Sequence, residues 1–340
     1  MQWPPDLYNE GSRPVYPVVI SVIKALDPYV KVNLIVQGKE EEAEVKSLLK
    51  ENGYFGNNVD YYPIKHFSIW TRDVGPVFVK DRGGLKVVNF GFDGYGRISD
   101  RDYLDTEGQI DVLVARELKL PVIDSNLVAE GGAVESNGRG TVMTTEAVAL
   151  SRNPGLTKAQ IEGEHKRVLG AKKIIWLKQG LAEDDRVTGG HIDEIARFAD
   201  PNTILLAQVM PGDRGANAVS RESFRRLEEN YRILSNSTDQ DGKPFTIIRV
   251  PMPPALSEEE SDRGEVPVRS YLNYVAANDA VLVPAYWKPG RANTLKTTED
   301  QVKSIFQSVF PERKIISIDA ENVNLWGGGL HCLTQQMPAN

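Results

Sequence analysis

The sequence holds a single cysteine among 340 residues, and its surroundings favour close approach by a ligand over storage of apolar bulk. Cys332 sits in Asn324-Leu-Trp-Gly-Gly-Gly-Leu-His-Cys-Leu-Thr-Gln-Gln-Met-Pro338. Three consecutive glycines let backbone come near a ligand or take positive φ. They run into a thiol flanked by His331 and by the hydrogen-bonding side chains of Thr334, Gln335 and Gln336. A free cysteine is more often a small buried hydrophobe. Nucleophilic work requires a base, an orienting group and a substrate clamp from elsewhere in the chain.

Thr188-Gly-Gly-His-Ile-Asp-Glu194 offers the base. On an extended strand positions i and i+2 share a face, so His191 and Asp193 are expected to point together while Ile192 and Glu194 turn away. The same alternation sets His331 on the face opposite Cys332, which favours His191 as the base. Trp70-Thr-Arg-Asp-Val-Gly-Pro76 places an aromatic, a cation and a carboxylate ahead of a strand at Val77–Lys80, and Glu130-Gly-Gly-Ala places a carboxylate before a bend. Alone, Arg72 beside Asp73 is as easily a surface ion pair, and Glu130 an ordinary turn residue. Together, a thiol, an imidazole and three carboxylates, with no arginine evidently kept for an anion, match a guanidinium substrate. Carboxylates meet its planar fork with two parallel hydrogen bonds. A thiolate attacks the central carbon, the imidazole carries a proton to departing ammonia, and water hydrolyses the thiouronium adduct.

The elements that must hold these side chains alternate between helix and strand. Apolar stripes at helical spacing fall at Val15–Leu26, Glu40–Glu51, Glu107–Leu118, Lys158–Leu169, Arg221–Leu234 and Glu299–Val309, with capping boxes read at Thr157 and Thr298. Strand-like runs lie at Val30–Val36, Leu85–Phe92, Lys173–Leu177, Thr246–Val250 and Lys314–Ile318. Three hairpins are expected, at Ala133–Val148, Ile192–Val209 and Tyr271–Pro284, with turn residues at their tips. Asp73, Glu130 and His191 recur at intervals of about 60 residues, and Cys332 follows at about twice that. About five units of roughly 65 to 70 residues would fill a single α/β domain over residues 1–340. No linker divides it. Pro251–Arg269, with its Ser257-Glu-Glu-Glu-Ser run, reads as a solvated loop.

A net charge of −7 argues against a nucleic-acid partner and suits a cationic substrate. One cysteine excludes an internal disulfide framework and, with no export signal read, points to the cytoplasm. No membrane span is expected, because the apolar run Tyr16–Leu26 is broken by Lys24. Asn236-Ser-Thr and Asp239-Gln-Asp-Gly242 read as polar turn rather than glycosylation or calcium sites.

Seven ordered motifs resemble the agmatine deiminase and bacterial-type peptidylarginine deiminase family over nearly the whole chain. They are Trp70-Thr-Arg-Asp73 with Gly75-Pro76, Asn89 with Gly91-Phe-Asp-Gly-Tyr-Gly96, Glu130-Gly-Gly, Thr144-Thr-Glu146 with Asn153-Pro, Gly190-His-Ile-Asp193, Tyr271-Leu-Asn273 and Gly327-Gly-Gly-Leu-His-Cys332-Leu-Thr-Gln-Gln. The resemblance implies the five-bladed α/β propeller of the guanidine-modifying superfamily, the pentein fold. It places Cys332 on the nucleophile, His191 on the general acid/base, Asp73 and Asp193 on the guanidinium clamp, and Glu130 on a further guanidinium or proton-transfer contact. Trp70 and Gly329 would line the pocket. It implies no metal and no cofactor, a small guanidine substrate and, as one option, a homo-oligomer. Agmatine hydrolysis to N-carbamoylputrescine leads, with peptidylarginine or free arginine as alternatives, amidinotransfer open on the same fold, and a non-catalytic binding propeller as the contrasting class. The chain departs from the family pattern at Asp93 and Tyr95, at an abbreviated segment ahead of Trp3-Pro4, and at Lys288 and Arg291, which are expected to point into solvent.

Overall fold

The computed structural model describes residues 1–255 and 267–339. Among them the strands form five small sheets. β1 (Val32–Val36) pairs in parallel with β2 (Val59–Pro63). The second sheet holds β3 (Val77–Asp81), β4 (Gly84–Gly91) and β5 (Val122–Val128), and the third holds β6 (Val134–Ser136), β7 (Thr141–Thr145) and β8 (Lys173–Leu177). The fourth holds β9 (Ala196–Asp200), β10 (Thr203–Gln208) and β11 (Thr246–Pro251), and the fifth holds β12 (Val275–Ala276), β13 (Ala280–Ala285) and β14 (Lys314–Asp319). Each of these four is an antiparallel hairpin whose second strand pairs in parallel with a third.

A parallel neighbour can be reached only by a long crossover, and helix supplies it in every unit. The crossovers are Lys39–Glu51, Arg101–Glu107 with Ile110–Glu117, Glu146–Arg152 with Lys158–Leu169, Ala218–Ser235, and Asn293–Val309. The first sheet keeps only this crossover half of the unit, and Gln2 adds a parallel bridge to Ile35. Five such units make a five-bladed α/β propeller.

Middle strands are covered on both faces, so they read as apolar runs instead of alternating. Ile204 to Ala207 in β10 and Ala280 to Val283 in β13 are all buried. Crossover helices close the outer layer. Phe306 of Asn293–Val309 packs edge-on against Tyr274, with ring centroids 5.0 Å apart. Burying side chains of this size stabilises by roughly 1.5–3 kcal/mol each.

The three expected hairpins are present, and a fourth, β3–β4, turns at Arg82-Gly83. The helix expected over Glu107–Leu118 is present as Ile110–Glu117, and a further helix, Arg101–Glu107, precedes it and ends where Gly108 donates its N–H to Leu104 O. The second capping box is a correction. Asn293–Val309 begins a full turn before Thr298, whose hydroxyl bonds back to Thr294 O at 3.0 Å. Glu299 instead folds inward to accept from the Tyr286 and Trp287 N–H groups. Asp239 accepts from the Asp241 and Lys243 N–H groups, each at 2.8 Å, as a turn does. The expected loop at Pro251–Arg269 lies largely outside the described residues.

Thr157 does cap Lys158–Leu169, its hydroxyl accepting from Gln160 N and the Gln160 side chain answering the Thr157 N–H. Thr157→Ala should therefore cost about 1 kcal/mol, whereas Thr298→Ala should stay within about 0.5 kcal/mol. Urea midpoints of the two variants measure the contrast, and equal losses would show that the Thr157 box does not act as a cap.

Candidate active site

The chemically capable side chains sit on the segments that lead into the hairpins. Asp73 ends up on the short helix Thr71–Val74 before β3, Glu130 precedes the turn Gly131–Ala133 before β6, and His191 precedes the turn Ile192–Glu194 before β9. Cys332 follows the helix Glu321–Asn324 in a run of tight turns. These segments press on one another so closely that glycine is required. A Cβ on Gly131 would fall 2.1 Å from the Arg72 carbonyl oxygen, and one on Gly132 would fall 2.7 Å from both Asp73 Oδ1 and His191 Nδ1 and 3.2 Å from Asp193 Oδ2. Three of the predicted residues therefore surround a single point.

His191 lies between two carboxylates. Its Nδ1 is 3.7 Å from Asp73 Oδ1 and its Nε2 is 3.5 Å from Glu130 Oε2, ion-pair distances that leave both ring nitrogens without a hydrogen bond. Burial pulls the imidazole's pKa down, but Asp73 and Glu130 outweigh it and raise it to about 9. Asp184 fixes the backbone here, its Oδ2 accepting from His191 N at 2.9 Å. Glu130 is held by Arg152 Nε at 2.7 Å, and Asp73 accepts from Tyr95 Oη at 3.0 Å and Gly132 N at 3.2 Å.

Cys332 is 5% exposed. Its Sγ lies 3.7 Å from Asp193 Oδ2, 3.9 Å from Glu194 Oε1 and 3.1 Å from Asn273 Nδ2. Burial, then the charges of Asp193, Glu194 and Asp73, push the thiol well above its ordinary range. Burial also raises Asp193 to about 7 and holds Glu194 far above the usual carboxylate range, with the Asp193 charge adding to the latter. Atoms of Asp193, Glu194 and Cys332 all lie within 4.8 Å of one another, close enough to hold a metal ion. The free Asp193 Oδ1 and Glu194 Oε2, buried and without a partner, would equally accept N–H groups from an organic cation.

Two strand-based expectations are corrected. Ile192–Glu194 is a 3-10 turn, not a strand, so Glu194 faces Cys332 instead of turning away. Cys332 also lies in turns, and the neighbouring His331 points inward, with Nδ1 2.7 Å from Asp193 Oδ2. Burial, then Arg197 and Arg72, keep His331 well below the ordinary imidazole range. Arginine is not absent either, since Arg72, Arg152 and Arg197 are buried around the cluster. Arg72 Nη2 bonds Gln336 Oε1 at 2.6 Å and Arg197 Nε bonds Glu135 Oε2 at 3.1 Å, so they brace scaffold.

Trp70 lies against the Cys332 segment, and Gly329 of that segment packs on Asn273. A Cβ on Gly328 would meet the Trp70 ring at 2.6 Å, and one on Gly329 would meet Asn273 Oδ1 at 2.6 Å. Lys288 and Arg291 are half-exposed and neutralised. Lys288 Nζ is 2.7 Å from Asp319 and 2.8 Å from Glu321, and Arg291 Nη2 is 2.9 Å from Glu321. Glu194, Asn273, Tyr95 and Arg152 join the site although none was expected to belong to it. Asn273 and Tyr95 did stand in glycine- or motif-marked stretches, and Tyr95, at φ 62°, takes a left-handed conformation between Gly94 and Gly96.

Residues 1–338 match the model of the Porphyromonas-type peptidyl-arginine deiminase family. The chain belongs to this agmatine deiminase and peptidyl-arginine deiminase family. It is 34% identical to a Streptomyces coelicolor protein named "Putative agmatine deiminase", over 96% of this chain and 90% of that one. The solved agmatine deiminase of Enterococcus faecalis superposes with a TM-score of 0.82 at 26% identity, over 99% of this chain and 92% of that one. A Porphyromonas gingivalis structure named "Putative Arginine Deiminase" superposes with a TM-score of 0.81 at 26% identity, over 99% and 94%.

In this deiminase-family chain the raised His191 makes a signed prediction. Its folded pKa of about 9 exceeds the ordinary 6.5, so its stabilising charge contacts act in full below pH 6.5 and are lost as pH rises through about 9. Urea unfolding across that window should show wild type losing stability relative to His191→Gln. A pH-independent difference would mean that the imidazole is not held charged.

Proposed function

We propose that this chain is an agmatine deiminase, converting agmatine and water into N-carbamoylputrescine and ammonia through a covalent adduct on Cys332. The observation that carries the reading is a surplus of buried carboxylate, Asp73, Asp193 and Glu194, around the charged His191, the neutral His331 and one thiol. A site that buries this much acid awaits a cation, and a guanidinium supplies both charge and N–H donors. The homologues named agmatine deiminase support the same substrate.

Asp73 and Asp193 take the guanidinium, and its charge draws the Cys332 thiol toward thiolate. The thiolate forms an S–C bond at the guanidinium carbon. His191, an imidazolium at neutral pH, gives its proton to the departing nitrogen, and the C–N bond breaks to release ammonia. The neutral imidazole then takes a proton from water, which adds to the thiouronium carbon. Loss of the thiolate leaves the ureido product. Glu130, anchored by Arg152, steadies the imidazolium.

Enclosure favours a small substrate over an arginine within a peptide, because Glu130 and Asp193 are fully buried and Cys332 nearly so. Neutralisation of Lys288 and Arg291 removes the cations that would greet an arginine carboxylate. We place the reaction in the cytoplasm, and none of the described helices is long and apolar enough to cross a membrane.

Cys332→Ser should abolish turnover with the fold intact, and a slow substrate should leave a mass adduct on the Cys332 peptide. An active serine variant, or an adduct elsewhere, would remove the nucleophile assignment. Side-by-side ammonia release should favour agmatine over free arginine and a peptide ending in arginine by at least about tenfold in kcat/KM. Preference for arginine would end the agmatine reading while leaving guanidine hydrolysis in place.

A further inference from the structure

Asn273 touches the sulfur and is left unused by the reaction above. It stands just before β12, where the fifth sheet's hairpin begins. Its amide orientation is fixed by what surrounds it. Oδ1 accepts from the backbone N–H groups of His331 at 2.8 Å and Cys332 at 3.3 Å, so the oxygen cannot exchange places with the nitrogen without losing both. Nδ2 must then face the other way. It donates to Glu194 Oε1 at 2.7 Å and to Cys332 Sγ at 3.1 Å, with a longer contact of 3.4 Å to Asp193 Oδ2.

We propose that Asn273 is a further catalytic residue, a neutral hydrogen-bond donor that stabilises the Cys332 thiolate and aims it through Glu194. The need is set by the neighbours. Asp73, Asp193 and Glu194 all oppose a negative sulfur, and a lysine or histidine donor would compete with the cationic substrate for the same carboxylates. An amide N–H stabilises the anion without adding a charge. The Gly329 backbone acts on the thiol in the same direction. Gly329 has to be glycine in part because any Cβ would strike the Asn273 oxygen at 2.6 Å.

The inference rests on Cys332 as nucleophile, and its test is separate from turnover. Because the chain has one cysteine, iodoacetamide alkylation reports Cys332 alone: the thiolate displaces iodide and the rate follows its ionised fraction. Asn273→Leu removes the donor at similar volume without adding charge. It should raise the pH midpoint of alkylation by about one unit, slowing the reaction at pH 7 about tenfold. It should also lower kcat by about 100-fold with little change in KM, as expected when a donor to the reacting atom is lost. Asn273→Asp keeps the oxygen that accepts from the two backbone N–H groups and is read if the leucine variant fails to fold, with thermal melting as control. It should slow alkylation likewise. A wild-type alkylation profile in the folded variant would overturn the proposal and leave the nucleophile assignment standing, and a loss appearing in KM alone would reduce Asn273 to scaffolding. Failure of Cys332→Ser to abolish turnover would instead sink the nucleophile assignment itself.

Discussion

Burial of like charge is the constraint on which the rest of this molecule depends. Asp73, Glu130, Asp193 and Glu194 lie out of water within reach of two imidazoles, His191 and His331, and one thiol, where isolated carboxylates would be expensive. The protein handles each differently. Glu130 is paired with Arg152, Asp73 takes donors from Tyr95 and Gly132, and Glu194 accepts from Asn273, while burial lifts Asp193 and Glu194 toward the protonated form. What remains is a site short of positive charge, with free oxygens pointing inward.

That arrangement needs several backbone segments to converge without filling the space between them. The propeller provides this through repetition, since successive sheets deliver the segment ahead of their hairpins. The crossing points are tight enough that a methyl group at Gly131, Gly132 or Gly329 would collide with backbone or with a functional side chain. Precision in the site is therefore inherited from close packing of loops whose ends are tied to buried strands. The same packing explains why Arg72 and Arg197 are buried with hydrogen bonds to neighbouring segments: they bind one unit to the next.

The charge pattern also orders the chemistry. An imidazolium raised to about 9 is a proton donor at neutral pH, and a thiol pushed upward waits for a cation before it ionises. In the mechanism proposed above, the charge of a bound guanidinium would draw this thiol toward thiolate.

How much of this was legible in the sequence divides along one line. Residue type and glycine context marked Cys332, His191, Asp193, Asp73 and Glu130, because a glycine beside a polar side chain records a close backbone approach that is local in the chain. Helix and strand periodicity likewise recovered the alternating units and three of the hairpins, since amphipathic stripes follow from which faces are covered. At His331 and Glu194 the reading failed because it had assumed a strand. His331 and Glu194 point inward because their segments are turns, and a one-residue change in local geometry reverses which neighbour faces the site. The start of Asn293–Val309 was misplaced because Glu299 serves the Tyr286 and Trp287 backbone, a contact made across the fold and not along the helix. Asn273, Tyr95 and Arg152 act through partners 59, 22 and 22 positions away. Only the folded chain could assign them, because hydrogen bonds depend on separations in space that no spacing along the sequence encodes.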